Sequence, residues 1–284
     1  MGFTGLFRQS GLSHKNKRKN IQYILLMGPE TFFFRNCFIQ MAKIFITGSS
    51  DGLGSMSAKL LVAQGHEVVL HARNAERGRL ALEKVPGTKI VLIGDLSSIE
   101  ETKKLAAEVN TLGHFDAIIH NAGVYQVSNK LIFAVNTLAP YLLTCLIHRP
   151  ERLIYLSSGL HLQGDPGLRD FSLNTGRYGY SDSKLHIVIL SMAVARKWPD
   201  VYSNAVNPGW VPTKMGGRSA PDNLEKGAET QAWLAASNDD KAKVSGRYFH
   251  HRRETHYMPE ADNVILQEKF LDLCEQISGV RFPE

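Results

Sequence analysis

From Lys43 onward the chain alternates short apolar runs with amphipathic stretches of ten or more residues, and no other feature limits its fold as severely. Lys43–Thr47, Glu67–His71, Lys89–Ile93, Phe115–His120, Leu153–Leu156, Val201–Val206 and Gly246–His250 have the length and composition of strands. Helices are predicted between them, over about Gly54–Gln64, Asn74–Lys84, Glu100–Leu112, Lys130–His148 with a kink at Pro140, Tyr180–Lys197 and Glu225–Ser237. A last helix is expected over Pro259–Ile277. Strands joined by helical crossovers make a parallel sheet covered on both faces. The fold class expected is α/β, a single doubly wound domain with a mainly parallel sheet of about seven strands flanked by helices. Such sheets bind ligands outside the carboxyl ends of their strands, so chemistry is sought there.

Residues 1–40 do not share this pattern. Arg8, Lys15, Lys17, Arg18, Lys19 and Arg35 oppose only Glu30, so most of the net charge of +6 sits here and the rest of the chain is nearly neutral. That distribution gives no support to a nucleic-acid partner. The apolar runs Ile21–Met27 and Phe32–Phe34 fall far short of the ~20 residues that span a bilayer. Residues 1–40 are expected to be a basic, disordered extension, with an organelle-targeting leader left open, and 41–284 the folded domain. Three scattered cysteines (Cys37, Cys145, Cys274) suggest neither a disulfide framework nor a zinc site, and the histidines show no metal spacing. A reducing, cytoplasmic location is expected.

Candidate site residues fall at successive strand ends. Thr47-Gly48-Ser49-Ser50-Asp51-Gly52-Leu53-Gly54 joins the first strand to its helix, and such glycines let backbone amides approach a pyrophosphate. The second strand ends in Leu70-His71-Ala72-Arg73-Asn74, without the carboxylate that would receive the ribose hydroxyls of NAD; Arg73 could instead pair with a 2′-phosphate, which favours NADP(H) over NAD(H). Asp95-Leu96 follows the third strand, where a carboxylate could meet an adenine amino group, and Asn121-Ala122-Gly123 follows the fourth. Tyr180 and Lys184 lie four apart on a predicted helix, so phenol and ammonium can share one face. A nearby cation favours the phenolate and is expected to lower its pKa from about 10.

With these motifs in place the chain resembles the classical short-chain dehydrogenase/reductase family, over Met41 to about His250. The resemblance rests on Thr47–Gly54, Asp95-Leu96, Asn121-Ala122-Gly123, Asn136, Ser157-Ser158, Tyr180 with Lys184, and Pro208-Gly209 with Thr213. Ser157-Ser158-Gly159-Leu160-His161 and Asn207–Thr213 are most similar to the retinol-dehydrogenase-like branch, and Asn207–Thr213 also resembles bacterial ketoreductases of aromatic polyketide pathways. The family implies a Rossmann-type NAD(P)-binding domain and a catalytic tetrad. Tyr180 would be the general acid/base, Lys184 its tuner and a ribose ligand, Ser158 the donor to the substrate carbonyl, and Asn136 the holder of a water leading to Lys184. Pro208, Gly209 and Thr213 would seat the nicotinamide carboxamide. Gly48, Ser50, Asp51, Gly52, Leu53, Gly54, Arg73, Asp95, Leu96, Asn121, Ala122 and Gly123 would line the rest of the cofactor site.

The function expected is NADP(H)-dependent interconversion of a carbonyl and an alcohol on a small, hydrophobic substrate. A sugar-nucleotide epimerase or dehydratase of the extended branch is an alternative, as is a non-catalytic NADP-sensing regulator. The Pro-Gly turn with Thr213 argues against the first, and retention of both Tyr180 and Lys184 against the second. The nearly all-apolar run Leu185–Val194 suggests a homodimer, since one helix face must meet the sheet and the other something dry. Gly216–Asn223 has the composition of a lid over the substrate. The substrate's identity and the direction of reaction stay open at this level.

Overall fold

The computed structural model describes residues 41–169, 171 and 178–284; the expectation for residues 1–40 lies outside them. Eight strands form one sheet in the order β3-β2-β1-β4-β5-β6-β7-β8. They are β1 (Lys43–Ile46), β2 (Glu67–Ala72), β3 (Ile90–Ile93), β4 (Ala117–His120), β5 (Arg152–Leu156), β6 (Tyr202–Asn207), β7 (Arg247–His250) and β8 (Arg253–Glu254). All neighbours pair in parallel except β7 and β8, which form an antiparallel hairpin. The eighth strand has only two residues, both exposed, so it left no apolar run to find. The strand order reverses between β1 and β4, opening a crevice at their carboxyl ends.

Strand alternation divides the interior. Ile44 and Ile46 of β1 join one buried cluster with Val68, Leu70, Ile119 and Leu156, whereas Phe45 joins another with Val69, Ile118 and Tyr155. Helices α1 (Gly52–Ala63), α2 (Ala75–Lys84) and α7 (Leu224–Ala236) cover the first face. The second is covered by α3 (Ile99–Thr111), α5 (Ala139–Leu146), α6 (Tyr180–Lys197) and α8 (Val264–Ser278). Side chains cap several of these helices: Asn74 accepts from Arg77 N–H and Asn263 from Leu266 N–H, while Gly279 ends α8 in the left-handed region.

Two predicted helices differ in detail. The stretch expected as one helix over Lys130–His148 is α4 (Asn129–Ile132), a π-helical segment Phe133–Leu138, then α5. The irregularity lies just ahead of Pro140, which has no N–H to donate to the preceding turn and sits at the start of α5 in a helical run continuous with the π segment. The π segment holds Asn136. The closing helix starts later than expected, because Pro259–Asp262 form a 3-10 turn before α8.

The apolar run of α6 has a partner within the chain. Ser183 to Val194 are all buried, with Phe270, Leu271 and Cys274 of α8 in the same core. Arg196 Nε donates to Gln267 Oε1 at 2.7 Å and Lys197 lies 2.9 Å from Glu268, which fasten the two helices at the exposed end. The dry surface that motivated a dimer is supplied by α8. No helix among the described residues is long and apolar enough to cross a membrane.

Candidate active site

The crevice at the switch point holds a cavity of about 540 Å³. Its floor is the turn after β1. Gly48 has φ +61°, and a Cβ there would stand 2.8 Å from Ala122 Cα. At Gly54 a Cβ would meet Asn121 Nδ2 at 2.4 Å, so neither position accepts a side chain without moving the neighbouring loop. The turn is braced from three strand ends. Asn121 Nδ2 donates to Thr47 O and Gly48 O, and Thr47 Oγ1 accepts from Asn121 and Ala122 N–H at 3.0 Å. His71, buried, accepts Gly48 N–H on Nδ1 at 2.9 Å, which leaves Nε2–H to donate to Gly94 O at 2.9 Å. Burial pushes its pKa down to about 4, only partly opposed by the Gly94 bond, so the ring is neutral and this tautomer is fixed.

Asp51 caps α1, accepting from Gly52 N–H. Burial alone would raise its pKa, but Lys214, Lys84 and the Gly52 amide together lower it to about 2. Lys84 Nζ lies 3.2 Å from Oδ1. Lys214 Nζ lies 2.6 Å from Oδ2 as an ion pair outside hydrogen-bonding direction. The carboxylate that borders the phosphate-sized end of the cavity is thereby surrounded by two cations.

Arg73, at the end of β2, lines the cavity as the sequence suggested, and Arg77, one turn later, lines it too. Arg77 Nε donates to Ser50 Oγ at 3.2 Å, linking the start of α2 to the glycine turn. Arg77 and Lys214 were missed by sequence reasoning; Arg77 lies in the first turn of α2, close after the strand end where Arg73 was sought. Asp95 and Leu96 form the wall beyond, with the Asp95 carboxylate turned to Ser97.

At the other end, Tyr180 and Lys184 line the same cavity with Leu156, Ser157, Pro208 and Thr213. Lys184 is buried, its Nζ donating to Leu156 O at 2.9 Å and standing 5.3 Å from the centre of the Tyr180 ring. The expected lowering of the phenol does not occur in the protein by itself. Burial, aided by the Tyr125 phenol, pushes Tyr180 up to about 12, while burial pulls Lys184 down to about 8. The two groups share one wall of the cavity, and burial is the leading cause of both shifts.

Four predicted residues stand behind this wall. Asn136 is fully engaged by protein: Oδ1 accepts Val124 N–H at 2.8 Å, and Nδ2 donates to Val124 O and Ser183 Oγ. It therefore pins the loop after β4 to α6. Ser158 Oγ accepts Leu160 N–H, starting the 3-10 turn Gly159–Gln163, while its carbonyl accepts from His161 Nδ1 at 2.7 Å. His161 Nε2 accepts Met258 N–H, and Tyr248 Oη lies 3.1 Å from Nδ1, so strand ends β5 and β7 and the chain after β8 meet at one buried imidazole. Gly54 is buried against Asn121 as described. Gly209 (φ +84°) lets the chain turn beside Asp222, which accepts Trp210 N–H. Among the described residues no cluster of His, Cys, Asp and Glu could hold a metal ion.

The comparisons agree with this geometry. Residues 42–144 match the short chain dehydrogenase family model. An uncharacterized oxidoreductase of Emericella nidulans is 48% identical, over 86% of this chain and 99% of that one. A short-chain dehydrogenase of Penicillium rubens is 42% identical, over 86% of this chain and 100% of its own length. Among solved structures, an NADPH-bound carbonyl reductase from chicken fatty liver shares the fold with a TM-score of 0.61 at 19% identity, covering 76% of this chain and 99% of that one. A doubly wound sheet, with relatives of this identity along nearly their full lengths, places the chain in the short-chain dehydrogenase/reductase family.

Proposed function

We propose that the protein is an NADP(H)-dependent oxidoreductase that interconverts a ketone or aldehyde and its alcohol, with Tyr180 as general acid/base. The observation that carries this reading is that Tyr180 and Lys184 share one cavity with the glycine turn and two arginines at the end of β2. The residues fit a dinucleotide. Gly48 and Gly52 present backbone without side chains to the cavity, the start of α1 offers amides to a diphosphate, and Arg73 and Arg77 offer planar forks to a 2′-phosphate. The strand end Leu70-His71-Ala72-Arg73-Asn74 carries no carboxylate to favour NAD(H) instead. The bound cofactor supplies or accepts the hydride.

What the chain itself contributes is proton chemistry and orientation. A carbonyl that gains hydride acquires charge on oxygen, and a proton source is needed within ~3 Å. Tyr180, held protonated at neutral pH, can give its proton to an alkoxide, which is far more basic than a phenol at about 12. Lys184, with its pKa near 8, is placed to restore that proton and to meet ribose hydroxyls. Ser158, after β5, is assigned the hydrogen bond to the substrate oxygen, once its Oγ turns from Leu160 N–H. Asn136 keeps the Val124 loop and α6 in register behind both.

The test is NADPH oxidation with a panel of ketones, aldehydes and quinones, alongside fluorescence titration of NADPH. Tyr180→Phe should still bind NADPH but lose ~10²-fold or more in turnover, the scale of one general acid. Undiminished turnover by this variant would remove Tyr180 from the mechanism, and NADPH binding without turnover by the wild type would favour a sensor.

A further inference from the structure

Beyond the reacting groups, two exposed apolar side chains adjoin the site. Among the described residues eleven large apolar side chains are exposed, and six of them (Tyr125, Val127, Leu160, Leu162, Trp210 and Met215) sit on the loops that follow β4, β5 and β6. Of these six, Met215 lines the cavity and Tyr125 packs against Tyr180, so part of this exposed apolar surface stands beside the reacting group, as a ligand surface would. Of the charged groups on the same loops, Lys214 pairs with Asp51, Asp222 accepts Trp210 N–H, and Asp165 holds Arg169.

Within it, Tyr125 is placed by more than chance packing. The residue before it, Val124, has both backbone polar groups held by the Asn136 side chain. The residue after it, Gln126, has φ +56°, a left-handed conformation that is uncommon for a residue other than glycine. Pinned on one side and turned sharply on the other, Tyr125 sets its ring 4.8 Å from that of Tyr180, edge to face at 62°. It is still 41% exposed, so the ring has surface left for a ligand. Met215 also approaches the phenol, with Sδ 3.9 Å from Tyr180 Oη. A substrate that brings its carbonyl to Tyr180 therefore meets a fixed aromatic ring and a flexible thioether beside the same phenol.

We propose that Tyr125 is a specificity-determining residue, whose ring selects carbonyl compounds that carry a flat aromatic ring next to the carbonyl group. This rests on the carbonyl-reductase reading above. It adds to that reading which shape of hydrophobic substrate is preferred, and by which residue.

The experiment compares two ketones of nearly equal size, phenyl methyl ketone and cyclohexyl methyl ketone, at saturating NADPH. The proteins are the wild type, Tyr125→Phe and Tyr125→Ala, each checked by thermal unfolding. The wild type should prefer the phenyl ketone. Tyr125→Ala should reduce the phenyl-to-cyclohexyl ratio of kcat/KM roughly three- to tenfold, the scale of one aromatic contact, mainly through KM. Tyr125→Phe keeps the ring and should keep the ratio. A ratio unchanged in Tyr125→Ala overturns the inference alone, and so does an equal loss in Tyr125→Phe, which would assign the effect to the hydroxyl. If the wild type reduces neither these ketones nor any carbonyl of the wider panel, the underlying reading fails and this inference with it.

Discussion

The loops after β1 to β4 are tied to one another, whereas the long loop after β6 is tied mainly to itself. On the first side Asn121 and Thr47 join two strand ends, His71 joins two more, and Arg77 reaches back to Ser50. On the second, Trp210 Nε1 donates to Gly216 O, Gly216 N–H to Thr213 Oγ1, and Asp222 accepts Trp210 N–H, all within one loop. Trp210 and Met215 stay 57% and 42% exposed. One half of the site is therefore preorganised for a ligand of fixed shape. The other is a self-contained unit that can shift as a whole, which suits a lid over substrates of varied shape.

The largest expected effect concerns the brace on the rigid side. His71 has a folded pKa near 4 against about 6.5 when exposed. Because the folded value is depressed, its contribution to stability is complete above pH 6.5 and is lost as pH falls through 4. One pKa unit is worth ~1.36 kcal/mol, so a shift of this size is on the order of 3 kcal/mol. A second proton would have to occupy Nδ1, displacing Gly48 N–H and freeing the glycine turn. Urea unfolding followed from pH 7 to pH 4 should show stability falling across that window. The buried His120 and His186, each lowered to about 3 with burial as the leading cause, add to the slope. In His71→Phe proton uptake on unfolding near pH 5 should drop by about one; an uptake equal to that of the wild type would contradict the neutral brace.

This contrast also explains what could be seen in advance. Gly48, Asp95, Asn121 and Arg73 were legible because a tight turn, a strand end and a missing carboxylate each restrict residue type at a fixed place. The alternation of Ile44, Phe45 and Ile46 between two cores likewise follows from the period of a strand. Tyr125, Lys214 and His161 were not legible as site residues. Their roles depend on which loop lies beside which, and nothing in their own neighbourhoods announces it. One misreading has a physical cause of its own: Tyr180 was expected to have a lowered pKa because spacing reports proximity and not burial.

A middle-sized effect tests whether the rigid side reads the cofactor's phosphate. Arg73→Ala should weaken NADPH by roughly ten- to a hundredfold, the range for a hydrogen bond to a charged group, and leave NADH nearly unchanged. Fluorescence titration of both cofactors decides it. Equal losses would mean that Arg73 serves the adenosine half in general, and that the cavity's second arginine, Arg77, does the discriminating.

The smallest effect probes the join between the halves. Lys214 belongs to the self-braced loop and Asp51 to the glycine turn, so their 2.6 Å contact spans the mouth of the cavity. Lys214 is 80% exposed, and an exposed pair of this kind is worth about 0.2–1 kcal/mol before salt screens it further. Lys214→Ala should therefore leave unfolding stability within about 1 kcal/mol of the wild type. Its effect should show instead in the rate of NADPH release, raised up to about fivefold at low salt and converging with the wild type near 1 M salt, where the Debye length is about 3 Å. If release is equally fast in both proteins at low salt, the loop does not lean on the glycine turn, and the two halves of the site move independently. If it differs and the difference persists at high salt, the coupling runs through packing, for which the contact between Gly52 and Thr213 is the nearest candidate: a Cβ on that glycine would already touch Thr213 Cγ2 at 3.4 Å.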